Sequence, residues 1–139
     1  MPRYLLLLLA LLLLSACSST PRFASHDLLH HHWVLDRLDG QTVTDSRVNP
    51  PDLEIGEHFT VNGIAGCNRY FGQGHLKGNR LWVTSLGSTA MACPSGLDQV
   101  EQAVLATLTE GATLSGSTQT LILQGKRHRL EYRLQDWVY

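Results

Sequence analysis

The chain has 139 residues, of which 43% are hydrophobic, and its eleven Lys and Arg residues face twelve Asp and Glu residues for a formal net charge of −1. This length suits one ordinary domain with a single core, and the balanced charge, without a basic stripe interleaved with aromatics, argues against nucleic-acid binding. The densest basic cluster contains Arg127, His128, Arg129 and Arg133 and is interrupted by Glu131. We interpret it as the solvated face of a strand.

Residues 1–16 are predicted to form a signal peptide, which takes no part in the fold. Arg3 precedes an unbroken apolar run at 4–14. This run reaches only about half of the roughly 30 Å hydrocarbon core, so it is not predicted to span a membrane. The sequence Leu14-Ser15-Ala16-Cys17 resembles the bacterial lipobox, which implies cleavage before Cys17 and lipid attachment to its sulfur and new amino group. The alternative is an ordinary secretory signal followed by an incidental cysteine.

A lipidated Cys17 would anchor the chain to a membrane. Each buried CH₂ contributes about 0.8 kcal/mol and one acyl chain holds only marginally, but mature bacterial lipoproteins are triacylated, so attachment would be permanent. Ser18 stands where an aspartate is the usual inner-membrane retention signal in enterobacteria. We therefore expect the chain in the outer membrane, facing the periplasm. Residues 17–27 are predicted to form the lipidated tether and 28–139 the domain; loss of Arg3 leaves ten basic and twelve acidic residues, a formal charge of −2.

Four histidines near the start of the domain raise the alternative of a metal site: His26, His30, His31 and His32. The first two have the i, i+4 spacing at which helical histidines share a metal ion. A mobile leader is a poor cage for an ion, however, so we expect solvated or packing histidines, with neither a metal nor another cofactor.

Alternation of apolar and polar residues predicts short strands joined by tight turns along most of the domain. A strand at 33–38 ends in Asp39-Gly40, a strong two-residue hairpin turn. A polar loop at 44–49 leads to Pro50-Pro51, which interrupts pairing before a second hairpin at 53–61. Further strands are predicted at 72–76, 80–84, 112–115, 120–124 and 128–134.

One amphipathic helix is predicted at 95–110, where the apolar period changes from 2 to 3.6. Its apolar stripe is expected to pack on the sheet and contains Leu97, Val100, Val104 and Leu108. The opposite face, including Glu101, is expected to face solvent. Ser95 with Asp98 resembles a capping box, and Gly111 suits the C-terminal left-handed cap. The predicted class is α+β, mostly β: about eight short strands in a strongly curved antiparallel sheet or partly open barrel, with one helix.

The stretch at 62–72 places Cys67 and Asn68 among three glycines, which predicts a tight, shaped connection between two strands. Cys93 follows 26 positions later, just before the helix. If Cys17 is lipidated, an even pair of cysteines remains in an oxidising compartment. We therefore predict a Cys67–Cys93 disulfide, which the chain-entropy model values at roughly 3–4 kcal/mol.

The chain resembles the META-domain family over nearly all of its predicted mature part. The resemblance runs through Trp33-x-Leu35-x-x-Leu38-x-Gly40, Asn49-Pro50-Pro51, Gly66-Cys67-Asn68-Arg69-Tyr70-x-Gly72 and Thr89-x-Met91-x-Cys93. It implies a compact β-rich domain with one long helix, similar in shape to the pilotins of secretion systems. It also implies associations with heat shock, novobiocin resistance and, in other organisms, secretion or virulence, but no established reaction. The family's second cysteine is not universal, so the disulfide prediction rests on spacing and compartment.

These observations favour a non-enzymatic envelope lipoprotein, expected to be a monomer, that binds an envelope protein partner or a hydrophobic ligand. A pilotin-like module is one version of this function, by fold analogy alone. An apolar groove lined by Trp33, Tyr70, Phe71 and Trp82 is one hypothesis, and the competing interpretation is that these aromatics form the core.

Two further alternatives concern the neighbourhood of the cysteines. A cysteine-dependent enzyme would pair Cys67 with His58, His75 or His128, but a disulfide would consume the nucleophile. Asn68, Arg69 and Thr89 could form a polar site beside the cysteines. We expect instead that Asn68 forms a turn by satisfying its own backbone and that Arg69 is solvated.

Overall fold

The computed structural model describes residues 23–43, 49–94 and 96–136. Within these ranges it contains nine strands and one α-helix: β1 (His32–Leu38), β2 (Gln41–Thr42), β3 (Asp52–Ile55), β4 (Thr60–Ile64), β5 (Arg69–Lys77), β6 (Arg80–Ser88), α1 (Leu97–Glu110), β7 (Ala112–Gly116), β8 (Thr120–Gly125) and β9 (Arg129–Leu134). Among the described residues no helix is long and apolar enough to cross a bilayer. The predicted signal peptide at 1–16, Cys17, Ser18, most of the 44–49 loop and Ser95 lie outside the described residues.

Eight of the strands close into an antiparallel barrel. Neighbours follow chain order from β3 to β9, and β1 pairs with both β3 and β9. The closing ladder runs from Trp33 opposite Leu134 to Leu38 opposite Leu130. The ninth strand, β2, is a short addition that pairs with the end of β1. The prediction of a mostly β fold with about eight strands and one helix is confirmed, and the sheet is closed.

The local turn chemistry explains two boundaries at the start of the barrel. Asp39 and Gly40 both have positive φ, 51° and 81°, the conformation that a two-residue hairpin turn requires and that Asp-Gly adopts readily. Phe59 was predicted to lie on a strand, and this is wrong. It ends a 3₁₀ turn at Glu57–Phe59 and has a φ of 62°, so β4 begins only at Thr60.

The core fills the barrel with side chains from the eight barrel strands and from the apolar stripe of α1. The largest fully buried aliphatic side chains are Leu28, Leu53, Ile55, Leu81, Leu108, Leu114, Leu121, Leu123 and Leu130. Strands β6 and β7 pair at Arg80–Thr113 and Leu81–Ala112, and α1 packs on β6 and β8 beside that seam. The helix that connects β6 to β7 therefore buries its apolar face, as its period predicted.

The helix begins at Leu97, two residues later than predicted. Gly96 occupies the N-cap position with a φ of 86° and makes no side-chain cap. At the other end Gly111 is the C-cap, as predicted, and its N–H donates to the carbonyl of Thr107. Its φ of 91° and ψ of 152° are not the left-handed conformation that was expected there. This placement brings the first turns of α1 against the connection between β4 and β5.

Candidate functional site

The connection between β4 and β5 is a tight corner, residues 65–68, that sits directly on α1. The N–H of Ala65 donates to the carbonyl of Asn68 at 2.9 Å and closes the turn. A Cβ atom at Gly66 would overlap the backbone carbonyl of Leu97 and press on Glu101. Glycine is therefore required at this position because helix and corner approach more closely than any side chain permits.

A disulfide between Cys67 and Cys93 links this corner to the segment that precedes α1. The two Cα atoms are 5.6 Å apart, and both cysteines are half-buried. The predicted pairing is thus present in the structure. Its consequence is that the sulfur of Cys67, the candidate nucleophile, is already covalently occupied.

Asn68 is buried, with 2% of its surface exposed, and its side-chain amide organises the segment at 89–93. Its Oδ1 accepts hydrogen bonds from the N–H of Met91 at 2.7 Å and from the Thr89 hydroxyl at 2.8 Å. Its Nδ2 donates to the Met91 carbonyl at 2.9 Å and to Glu101 Oε1 at 2.8 Å. The prediction that Asn68 satisfies only its own turn is wrong, because its amide joins three segments that are distant in sequence.

Glu101 is the partner of the corner on the helix, so the expectation that it faces solvent is wrong. Its Oε2 accepts from the backbone N–H of Asn68 at 2.9 Å and of Cys67 at 3.2 Å. The same oxygen lies 3.3 Å from Cys93 Sγ. A disulfide sulfur carries no proton, so this last contact is van der Waals packing of a carboxylate on the bridge.

The hydrogen bonds keep the Glu101 carboxyl ionised. Burial by itself would raise its pKa, but the Asn68 side chain and the backbone N–H groups of Asn68, Cys67 and Gly66 outweigh that effect, and the pKa is lowered from the ordinary value of 4.5. A carboxylate that receives several N–H donors is stabilised in its charged form. The corner and α1 are therefore joined by charge-assisted hydrogen bonds as well as by the disulfide.

Arg69 and Thr89 have different roles beside this network. Arg69 is exposed, as expected for a solvated side chain. The Thr89 hydroxyl accepts from the Arg69 N–H at 3.1 Å and donates to Asn68. Of the three residues of the alternative polar site, Asn68 and Thr89 are hydrogen-bonded to each other, whereas the side chain of Arg69 is exposed.

The histidines that could have served Cys67 as a base are engaged elsewhere or point into solvent. His75 Nε2 bonds the Thr84 hydroxyl at 2.8 Å, and its ring stacks on Trp82 with centroids 5.2 Å apart. His128 Nδ1 bonds Asp39 at 2.8 Å. His58 is exposed in the 3₁₀ turn with a φ of 54°. The structure does not assemble a cysteine–histidine pair among these residues.

The histidines of the leader pair with different carboxylates and do not converge on one point. His26 lies 3.2 Å from Asp27 and His30 lies 3.3 Å from Glu57. His31 lies 3.2 Å from Asp136. His32 is buried and bonds Asp52 and the Gln135 carbonyl. These contacts link the leader to β3 and to the end of β9, which is a packing role.

The four aromatics of the hypothetical groove do not line one surface, so that hypothesis is wrong. Trp33 and Tyr70 are each 1% exposed in the core, and the Tyr70 hydroxyl donates to the Asp52 carbonyl. Trp82 is half-buried against His75. Phe71 is 61% exposed, and Met91 is the other large hydrophobic side chain exposed to this degree in the described part of the chain, at 62%. Both belong to segments that flank the corner.

The role of Glu101 was not predictable from helical periodicity, which distinguishes only apolar from polar positions. The available signal was Gly66, next to Cys67 and Asn68. This glycine lies in the loop of the β4–β5 hairpin, and a loop glycine can mark a place where another element approaches closely. The carboxylate of an early helical turn is a natural acceptor for the free N–H groups of such a corner.

Replacement of Glu101 by Gln should lower the free energy of unfolding by about 1–2 kcal/mol at neutral pH, the lower part of the range for hydrogen bonds to a charged group because solvent screens a half-buried side chain. Since the folded state lowers the pKa of Glu101, its contribution is complete above pH 4.5 and is lost as the pH falls through the folded-state pKa. Urea unfolding of the wild type and Glu101→Gln between pH 7 and 3 should therefore show a difference in the free energy of unfolding that becomes smaller at low pH. Asp98→Asn, an exposed carboxylate on the same helix, is the control, and a pH-independent difference for Glu101→Gln would contradict the assignment.

The disulfide predicts the thiol count of the protein recovered from the periplasm. An unlipidated chain that begins at Ser18 should show no free thiol when unfolded and two after reduction. The double variant Cys67→Ala, Cys93→Ala should unfold with a free energy lower by roughly 3–4 kcal/mol. One or two reactive thiols in the oxidised product would contradict the bridge and restore Cys67 as a candidate nucleophile.

Comparison with known proteins agrees with this architecture. The family model described as META domain matches residues 26–137. Heat shock protein HslJ of Escherichia coli (strain K12) is 32% identical over 128 residues, which cover 90% of each chain. An NMR structure that is 32% identical superimposes with a TM-score of 0.74 over 82% of this chain and 97% of the other. An NMR structure of a Burkholderia xenovorans protein is 26% identical, with a TM-score of 0.65 over 87% and 94% of the two chains. The chain belongs to the META domain family.

Proposed function

We propose that this protein is a lipid-anchored, non-enzymatic binding module of the bacterial outer membrane that faces the periplasm and serves the response to heat or envelope stress. Its similarity to a protein named heat shock protein HslJ supports the association with stress. The resemblance stated for the sequence adds novobiocin resistance, which fits a role in keeping the outer membrane impermeable.

The N-terminal sequence supports the anchor. In this proposal residues 1–16 are removed, Cys17 carries the lipid and 17–27 tether a domain at 28–139. The run before Cys17 is too short to cross a bilayer and ends in small residues that signal peptidases accept. Several acyl chains on Cys17 would hold the protein at the membrane without a spanning helix.

The state of Cys67 is the observation that favours binding over catalysis. Its sulfur is bonded to Cys93, and the carboxylate of Glu101, close to that bridge, is held by backbone N–H groups and Asn68. A general acid or nucleophile must be free to react, whereas these groups are committed to holding the corner.

The surface around the corner is the proposed contact for a protein partner in the envelope. Phe71 and Met91 are both more than 60% exposed. The Phe71 ring packs over Gly87, where any Cβ would meet it, and the backbone of Met91 is held on both sides by Asn68. Exposed aromatic and methionine side chains on a rigid support are typical anchors of protein interfaces.

A second candidate function is the binding of a hydrophobic ligand or an extended peptide, as in a pilotin-like module. A groove of about 870 Å³ lies between the N-terminal segment and the β7–β8 hairpin. Its lining includes Phe23, Leu114 and Leu134 together with polar groups such as Asn79 and Gln119. The volume lies within the range of small-molecule sites.

Location tests the anchor directly. The full chain expressed in a Gram-negative host should be recovered in the outer-membrane fraction, and Cys17→Ala should abolish both acylation and membrane recovery. Ser18→Asp should move the protein to the inner membrane, whereas Ser18→Ala should leave it in the outer membrane. Recovery of the processed wild-type chain as a soluble periplasmic protein would refute the proposed lipid anchor.

Partner capture tests the proposed surface. The double variant Phe71→Ser, Met91→Gln should reduce crosslinking to its envelope partner by about tenfold, because loss of central apolar anchors removes most of the binding energy. Thiol counts and urea unfolding should match those of the wild type. The control is Gln41→Ser, Lys126→Ser, which changes two exposed residues outside both the proposed surface and the groove. Equal capture by both double variants would exclude this surface and favour the groove.

A further inference from the structure

The Cys67–Cys93 bridge and Glu101 form a cluster of three metal-ligand side chains, of which the two cysteines cannot act as thiolate ligands while the disulfide is intact. The two sulfurs and a carboxylate oxygen of Glu101 all lie within 4.8 Å of one another. Thiolates and carboxylates are established ligands of Zn²⁺, and three protein ligands with one open position are a common arrangement. We propose that reduction of the disulfide converts this cluster into a Zn²⁺ site with these three residues as ligands.

The geometry requires only small movements of side chains. Zn–S bonds of about 2.3 Å place two sulfurs of a tetrahedral site roughly 3.8 Å apart. The Cα atoms of Cys67 and Cys93 are 5.6 Å apart, so rotation about the two Cα–Cβ bonds separates the sulfurs without moving the backbone. Glu101 Oε2 already lies 3.3 Å from Cys93 Sγ. All three residues are half-buried, so a reductant and an ion can reach them from solvent.

The surroundings orient the carboxylate and leave its charge without a cationic partner. Asn68 Nδ2 donates to Glu101 Oε1 at 2.8 Å and the corner N–H groups hold Oε2. In the described part of the chain, no Lys or Arg forms an ion pair with Glu101. Hydrogen bonds of this kind fix a metal ligand in position, and a divalent cation would neutralise the thiolates that form beside this carboxylate.

The chemistry balances with a dithiol reductant. The reductant supplies two electrons and two protons to the S–S bond, becomes a disulfide itself and leaves Cys67 and Cys93 as thiols. Zn²⁺ then displaces the two thiol protons to solvent and binds both sulfurs and Glu101 Oε2. The metal would take over the link between the corner and α1, so the fold keeps its connection when the covalent one is broken.

The experiment uses the full-length mature lipoprotein in detergent, reduced with a phosphine and freed of reductant under anaerobic conditions. Zn²⁺ binding is measured by competition with a chromogenic chelator, and Co²⁺ is added separately to reveal thiolate-to-metal absorption. The variant Cys67→Ser, Cys93→Ser measures the background of Zn²⁺ bound by the histidines near the N-terminus, which is subtracted. Glu101→Ala removes the proposed oxygen ligand, and Glu110→Ala changes a glutamate at the other end of the same helix.

The reduced protein should bind one Zn²⁺ beyond the double serine variant and show the cobalt–thiolate band, whereas the oxidised protein should show neither. Glu101→Ala should weaken this binding by about tenfold or more, the typical effect of altering a metal's ligand environment, and Glu110→Ala should leave it unchanged. Equal Zn²⁺ affinity in the wild type and Glu101→Ala would overturn the proposal. This result is also expected if the reduced chain unfolds and binds metal through free cysteines alone. The proposal would also be overturned if the reduced wild type bound no more Zn²⁺ than the double serine variant.

Discussion

The carboxylate of Glu101 is the contact on which the arrangement of helix and barrel depends. It is ionised, it receives N–H groups from the β4–β5 corner, and it lies where a side chain at Gly66 would not fit. Backbone N–H groups buried against a helix need an acceptor. A charged one satisfies several at once and stabilises the contact more than a neutral oxygen would. The first turns of α1 are thereby fixed to the barrel independently of the apolar stripe further along the helix.

The disulfide and the hydrogen bonds secure the same junction by different physical means. The covalent bridge acts mainly on the unfolded chain, whose entropy it reduces by closing a loop between positions 26 apart. The Glu101 and Asn68 contacts act only on the folded state, since their donors and acceptor meet only there. The junction therefore does not rely on one of them alone, because the segment at 89–93 is also hydrogen-bonded to the Asn68 side chain.

Local patterns were sufficient for most elements, and long-range pairing was not predictable from them. The period-2 runs in β3 and β9, the Asp39-Gly40 turn and the period-3.6 stripe of α1 are local consequences of which face is buried. Closure of the barrel is different. It depends on β1 meeting β9 at the other end of the domain, and no single segment contains that information. For the same reason the sequence could place Glu101 on a helix but could not show that its carboxylate bonds the corner at Cys67 and Asn68. The pairing of Cys67 with Cys93 was predictable because it was inferred from an even number of cysteines in an oxidising compartment, which requires no knowledge of their positions in the fold.

The two exposed apolar side chains next to the corner, Phe71 and Met91, are carried by backbone that is held in place by hydrogen bonds. Association costs free energy whenever a loop must be ordered on binding. The segment that carries Met91 has both its N–H and its carbonyl hydrogen-bonded by Asn68 before any partner arrives, and Phe71 lies on a strand paired on both sides. Little backbone entropy remains to be lost there on binding. In the proposed interface, the free energy gained by burying these two apolar side chains would therefore not be offset by the cost of ordering a loop. Trp33 and Tyr70, by contrast, are buried in the core. The Asn68 network that joins the corner to α1 therefore also fixes the backbone of the segment that carries the exposed Met91 side chain.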